Sequence, residues 1–91
     1  HDANIINETV NFLTKIKNEN NEERIAQDIT KTIKEGSPHV AQALAKHSFT
    51  FMTPKTRPYF ADLKASLPKN SAETVQVEAA IIEHDMIVSG G

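Results

Sequence analysis

The chain is 91 residues long, is 38% hydrophobic and 24% charged, has a formal net charge of −2 and contains no cysteine. This length builds one domain at most, and the lack of cysteine excludes disulfides, thiolate metal sites and cysteine nucleophiles. The pI of about 6.1 is not that of a strongly basic nucleic-acid-binding domain, and no apolar run reaches the roughly 18 residues of a membrane span. We therefore predict one domain over residues 1–91, with no nucleic-acid partner and no membrane span.

The first predicted helix follows from apolar residues three and four positions apart. Ile6, Val10 and Leu13 share one helical face before the polar run 18–21 interrupts the pattern. Asp2 is suited to cap the N-terminus of this helix, and residues 1–3 are expected to form a loose tail. Further apolar residues flank the face, namely Ile5, Phe12 and Ile16.

The second predicted helix begins at the capping-box spacing of Asn20 and Glu23 and runs to about Glu35. Gly36 then supplies the residue type that most readily adopts the left-handed conformation at the end of a helix. The apolar residues form a narrow stripe, which predicts a helix at the surface of the core. They are Ile25, Ile29 and Ile33.

The third predicted helix, "PHVAQALAKHSFTFM", begins with the strongest local signal in the chain. The Ser37 hydroxyl can cap free backbone N–H groups, and Pro38 suits the first helical position because its missing N–H costs nothing there. Apolar residues cover most of the circumference, which predicts the central helix of the fold. They form two rows, one of Val40, Leu44 and Phe51 and the other of Ala41, Ala45 and Met52.

The fourth predicted helix is bounded by prolines. Pro54 and Pro58 are compatible only with a first helical turn or with the bend before it, and Thr53 and Thr56 offer two possible starts. Pro68 ends the helix, because the residue before a proline is displaced from helical backbone angles. One face of the helix carries Phe60, Leu63 and Leu67.

The fifth predicted helix starts at a second Asn-x-x-Glu spacing, Asn70 and Glu73, and leads to a loose tail at residues 89–91. The segment is rich in β-branched residues, which leaves a strand at Thr74–Glu78 as the alternative to a helix. Its apolar face is marked by Ala72, Val75, Ala79, Ile82 and Met86, and is widened by Val77, Ile81 and Val88.

The segment Phe49–Phe60, "FTFMTPKTRPYF", holds four of the five aromatic residues in the chain. Phe49 and Phe51 are about 200° apart around a helix, so both cannot face one core. One interpretation is a structural staple, in which the rings pin a proline turn between two helices. The other is an apolar pocket or patch with Arg57 and Lys55 at its polar rim. The predicted ligand-binding or partner-binding residues are Phe49, Phe51, Met52, Arg57, Tyr59 and Phe60.

The pattern Phe51-x-x-Pro54-x-x-Arg57-x-Tyr59-Phe60 resembles the joint between the second and third helices of globins. The resemblance covers this short segment alone and implies that Phe60 would pack against a haem group. The chain departs from the globin family in its shorter length and in having only His84 downstream of the motif. We therefore predict no cofactor.

Residues that carry catalysis or metal binding are sparse. His39 and His47 are eight positions apart, about 12 Å along a helix, so they cannot bind one metal ion. No serine lies in a Gly-x-Ser-x-Gly context, and no glycine-rich phosphate loop is present. The Asp and Glu residues occupy predicted caps and solvated helix faces. We predict no metal site and no enzymatic activity.

The five segments predict an all-α fold, a compact bundle of four to five short helices joined by turns that contain Pro or Gly. The third and fifth helices carry more apolar surface than so small a bundle covers. This surplus indicates non-catalytic binding of a lipid-like small molecule or of the apolar face of a partner helix. The alternative is a structural or assembly domain, excised from a larger chain, that docks or self-associates through an apolar helix face. Such self-association would give a homodimer.

Two features favour secretion. The triplet that begins at Asn7 matches the N-glycosylation rule, and the chain begins at His1 rather than at methionine.

Overall fold

The computed structural model describes the backbone of residues 2–90 and the side chains of residues 4–90. This part of the chain contains five α-helices and one 3₁₀ segment, and no strand. The all-α prediction is therefore confirmed, and Thr74–Glu78 is helical. The elements are α1 (Asp2–Ile16), α2 (Glu22–Glu35), α3 (Pro38–Ala45), the 3₁₀ segment (Ser48–Phe51), α4 (Arg57–Ser66) and α5 (Ala72–Gly90).

The helices form a flattened bundle, with Cα extents of 37 × 32 × 18 Å. α3 contacts α1, α2 and α5, and α2 and α5 each contact three elements as well, so α3 is not distinguished as the central helix that the sequence predicts. α2 also packs against α4, and α5 packs against α4 and the 3₁₀ segment. One apolar core joins all of these elements. Its members are Ile6, Val10, Ile25, Ala26, Ile29, Ile33, Ala41, Leu44, Ala45, Phe51, Met52, Phe60, Leu63, Val77, Ala80 and Ile81.

The third predicted helix is two elements rather than one. α3 ends at Ala45, a turn follows, and the 3₁₀ segment begins at Ser48. The buried Ser48 hydroxyl donates a 2.8 Å hydrogen bond to the Ala45 carbonyl, and the His47 N–H bonds to the Leu44 carbonyl at 2.9 Å. Both bonds span three residues, so the chain leaves the α-helical pattern here without a proline or a glycine.

The start of α2 differs from the predicted capping box. Asn21 precedes the helix, and its side chain accepts the Asn18 N–H at 2.7 Å instead of capping the helix. The Asn18 side chain in turn accepts the N–H groups of Asn20 and Asn21, at 2.7 and 3.2 Å. Asparagine side chains that bond to nearby backbone groups in this way stabilise a turn.

Gly36 ends α2 but is not left-handed. Its backbone is extended, with φ −75° and ψ 173°. The glycine is explained by close approach instead, because a Cβ at this position would come within 2.5 Å of the Thr32 carbonyl oxygen. The Gly36 N–H donates a 2.7 Å hydrogen bond to the same oxygen.

Two other predicted caps also change. Ser37 precedes α3 and Pro38 occupies its first turn as predicted, but the Ser37 side chain makes no capping hydrogen bond. At α5, Ser71 takes the role predicted for Asn70, since its hydroxyl accepts the Thr74 N–H at 3.1 Å. The cap of α3 is therefore absent and the cap of α5 lies one residue later than predicted. Each helix still begins within one or two residues of its predicted start.

The ends of the chain are helical over the described residues. α1 includes residues 2 and 3, and α5 continues to residue 90, where loose tails at 1–3 and 89–91 were predicted. Residues 1 and 91, and the side chain of Asp2 with its predicted capping role, lie outside the described part of the structure.

Candidate functional site

The predicted site residues divide between the core and the surface. Phe51, Met52 and Phe60 are 1%, 6% and 0% exposed. These three side chains are therefore core residues. Phe60, the residue that the globin resemblance places against a haem group, is enclosed by protein in this fold. Phe49, at 38%, is the one ring of this segment with substantial exposure, so Phe49 and Phe51 do diverge as the helical spacing requires.

The turn between the 3₁₀ segment and α4 is held by two threonines. The Thr56 hydroxyl donates to the Phe51 carbonyl and accepts the Thr53 N–H, both at 2.8 Å. The Thr56 N–H bonds to the Thr53 hydroxyl at 3.2 Å, and that hydroxyl also donates to Glu22 of α2. These hydrogen bonds hold the turn. The staple predicted from the sequence relied on the aromatic rings instead, of which Phe51 and Phe60 are buried in the core.

The polar residues of the segment connect helices. The Tyr59 hydroxyl donates to Glu23 at 3.0 Å and accepts from Gln27 at 3.1 Å, which ties α4 to α2. Lys55 lies 3.9 Å from the same glutamate. The polar groups of half-buried Tyr59 and exposed Lys55 therefore both contact side chains of α2.

Arg57 ties α4 to α5. Its Nε and one terminal nitrogen donate to the two carboxylate oxygens of Asp85, at 2.7 and 2.8 Å. The hydrogen bonds and charge of the guanidinium hold the pKa of the Asp85 carboxyl below its ordinary value of 3.8. The same pair raises the pKa of Arg57. Such a two-point contact has better-defined geometry than an ordinary surface ion pair.

Asp85→Asn is expected to lower the melting temperature slightly at neutral pH and not at all in strong acid. Because folding lowers the pKa of Asp85, the stabilisation is present above the carboxyl's unfolded pKa and is lost as the pH falls through its folded pKa. Thermal melting from pH 7 into acid measures the difference between the two proteins. Asp62→Asn, at an exposed aspartate without an ion pair among the described residues, is the control. A wild-type advantage over Asp85→Asn that stays constant down to strong acid would contradict this linkage.

The predicted apolar face of α5 points away from the core. Val75, Ile82 and Met86 are 57%, 54% and 68% exposed, and Ala79 between them is exposed as well. We call these four residues the outer face of α5. The core is instead contacted by the opposite side of the helix, which carries Thr74, Val77, Ala80, Ile81 and His84.

The outer face of α5 has the spacing of a helix–helix seam. Its four residues follow one another at intervals of four, three and four, as the a and d positions of a heptad repeat do. The apolar surface extends to exposed Ile87, which shares a shallow depression with Ile82 and Met86. Phe49 lies in another depression beside Ala79, which is also lined by Lys46, Gln76 and Glu83. Contiguous apolar surface of this kind marks interaction sites in proteins.

A second concave feature lies between α4 and α5. This groove has a volume of about 550 Å³. Two ion pairs join its helices, the Arg57–Asp85 pair and a 3.0 Å contact between Lys64 and Glu78. We call it the α4–α5 groove. It is lined by Arg57, Ala61, Lys64, Ala65, Leu67, Lys69, Thr74, Val75, Glu78 and Ile81.

A smaller apolar stripe lies on α1. Ile5, Phe12 and Ile16 are 61%, 59% and 42% exposed, and their spacing of seven and four residues places them on one side of the helix. These residues flank the buried face formed by Ile6 and Val10. The side chains of this stripe are about as exposed as those of the outer face of α5.

Among the described side chains, those of residues 4–90, no three His, Asp or Glu residues are placed to hold a metal ion. In the same range, no helix combines the length and the apolar character that crossing a membrane requires. His84 is buried on the core side of α5, and His39 is exposed on α3.

Comparison with protein-family models, with curated proteins and with solved structures gives no match to this chain.

Proposed function

We propose that this chain is a non-catalytic assembly domain that pairs with a second copy of itself through the outer face of α5. The observation that carries the proposal is that α5 is apolar on two opposite sides and the fold covers only one of them. A second helix laid on the outer face would cover the other.

The outer face matches itself when two α5 helices run antiparallel. In that orientation a and d positions alternate across the seam, so Val75 faces Met86 of the second copy and Ala79 faces Ile82. Each layer then combines a smaller side chain with a larger one, which favours close packing of the two helices. The parallel orientation would instead put the two alanines opposite each other and the two methionines opposite each other.

The charges beside the outer face are compatible with this pairing. Gln76 and Glu83 lie along one edge, and the antiparallel arrangement places the amide of one copy opposite the carboxylate of the other. Along the other edge, Glu78 would face Asp85 of the second copy, but each of these acids already has a cation of its own chain. Both edges therefore form the polar rim that usually surrounds an apolar interface.

The expected strength of the pairing is modest. Covering a side chain that is now half exposed contributes about 1 kcal/mol, at roughly 25 cal/mol per Å² of apolar area. Burying the outer face, Phe49 and Ile87 contributes a favourable free energy of the same order as the free-energy cost of bringing two molecules together. We expect a reversible dimer rather than a permanent one.

Ile82→Glu is expected to weaken dimerisation about 100-fold, because the change occurs twice in a symmetric interface and each buried, unpaired carboxylate costs at least ~1.4 kcal/mol. Sedimentation equilibrium over a range of protein concentrations measures the effect. Ile5→Glu on α1 is the matched control, since Ile5 is 61% exposed against 54% for Ile82, and it should leave dimerisation unchanged.

The orientation has its own test because the chain lacks cysteine. A mixture of Val75→Cys and Met86→Cys proteins should form the mixed disulfide on mild oxidation faster than either protein forms a disulfide with itself. A wild-type protein that remains monomeric at about 1 mM, where pairing worth more than about 4 kcal/mol would be visible, overturns the proposal.

A further inference from the structure

The α4–α5 groove is amphipathic. Its apolar lining comes from Ala61 and Ala65 of α4, Leu67 of the connection, and Val75 and Ile81 of α5. The volume of about 550 Å³ lies within the roughly 300–1,000 Å³ of small-molecule sites in proteins. The groove shares Arg57 with the Phe49–Phe60 segment and Val75 with the outer face of α5.

The charges at the groove leave one cation in excess. Arg57 and Lys64 are paired with Asp85 and Glu78. Lys69, which lies in the connection between the helices, forms no ion pair with any residue of the described chain. The groove is thus locally positive in a chain whose formal net charge is −2. A ligand that matches both features needs an apolar body and one negative group.

We propose that the α4–α5 groove binds a free fatty acid, with its carboxylate at Lys69 and its hydrocarbon chain along the alanine-lined floor. The two alanines leave the space that larger side chains would fill, and Leu67, Val75 and Ile81 provide apolar contact. The inference does not depend on pairing through the outer face of α5.

The experiment is a titration of ¹⁵N-labelled protein with dodecanoate, kept below its micelle concentration and followed by amide chemical shifts. We expect saturable shifts concentrated at residues 61–69 and 74–81, with weaker binding of dodecan-1-ol, which lacks the charge. The same titration of Ile82→Glu should give the same shifts. That variant separates this site from the dimer, so failure of one proposal leaves the other intact.

Lys69→Gln is expected to weaken dodecanoate binding about two- to fivefold, which is what one exposed charge pair contributes, and to leave dodecan-1-ol binding unchanged. Lys15→Gln, at an exposed lysine in the last turn of α1, is the control and should change neither. Added salt should reduce the preference for dodecanoate over dodecan-1-ol, because screening weakens the charge contact.

Three results would overturn the inference. The first is the absence of saturable shifts below the micelle concentration. The second is a set of shifts centred on Ile82 and Met86, which would show nonspecific adsorption to the outer face of α5. The third is equal binding of dodecanoate and dodecan-1-ol in both wild type and Lys69→Gln, which would remove the role of the charge.

Discussion

Phe51→Ala is expected to lower the free energy of unfolding by about 3–5 kcal/mol, which is the usual cost of replacing a buried phenylalanine with alanine. The Phe51 ring is 1% exposed and belongs to the one core that joins the helices. Its removal leaves a cavity at the point where the 3₁₀ segment meets that core. Since small domains are stabilised by only about 5–15 kcal/mol in total, the variant should be close to unfolding at physiological temperature.

Phe49→Ala is the matched control for that measurement. The two rings are two residues apart in the same 3₁₀ segment, but Phe49 is 38% exposed. Urea unfolding of both variants should therefore show a much smaller loss for Phe49→Ala. Equal losses would mean that the two rings contribute alike to the core, in conflict with the structure.

Thr56→Val is expected to cost about 1–3 kcal/mol, the penalty for leaving buried polar groups without partners. Valine keeps the shape of threonine but cannot accept the Thr53 N–H or donate to the Phe51 carbonyl, both of which lie 2.8 Å from the Thr56 hydroxyl. The side chain is 0% exposed, so water cannot replace the lost bonds without opening the turn. Urea unfolding measures the change.

Thr56→Ser distinguishes the contribution of the Thr56 hydroxyl to stability from that of its methyl group. Serine retains both hydrogen bonds and loses only one buried methyl group, worth about 1 kcal/mol. If Thr56→Val proves as stable as wild type while Thr56→Ser is less stable, packing rather than hydrogen bonding holds the turn. The staple interpretation of Phe49–Phe60 would then rest on its rings alone.

The helices themselves were largely predictable because their limits are set by neighbours in sequence. Pro38 and Pro58 lie in the first turns of α3 and α4, and α4 ends at Ser66, two residues before Pro68. A proline restricts its own backbone and that of the preceding residue whatever the rest of the chain does. The identity of the capping side chain was less predictable. Ser71 and Asn70 are both residue types that cap helices, and only the local geometry selects Ser71 as the cap of α5.

The candidate site was less predictable because several residues of one type compete for the core. Helical spacing shows that Phe49 and Phe51 diverge, but it does not show which ring is buried. The choice depends on the position of α5, which contacts the 3₁₀ segment. Likewise, the α4–α5 groove depends on the contact between Arg57 and Asp85, which are 28 residues apart in sequence.

The amino-acid sequence alone predicted an all-α chain and most of the helix limits, since both depend on local backbone preferences and short-range spacing. It did not predict the break after Ala45, and it left Thr74–Glu78 open between helix and strand. Only the tertiary structure decided which side of α5 faces water. That helix has apolar residues on two opposite sides, so its own pattern favours neither. The shapes of α3, α4 and the 3₁₀ segment select the side with Val77 and Ile81 for the core, and Val75, Ile82 and Met86 are left outside because the bundle has no further helix to cover them.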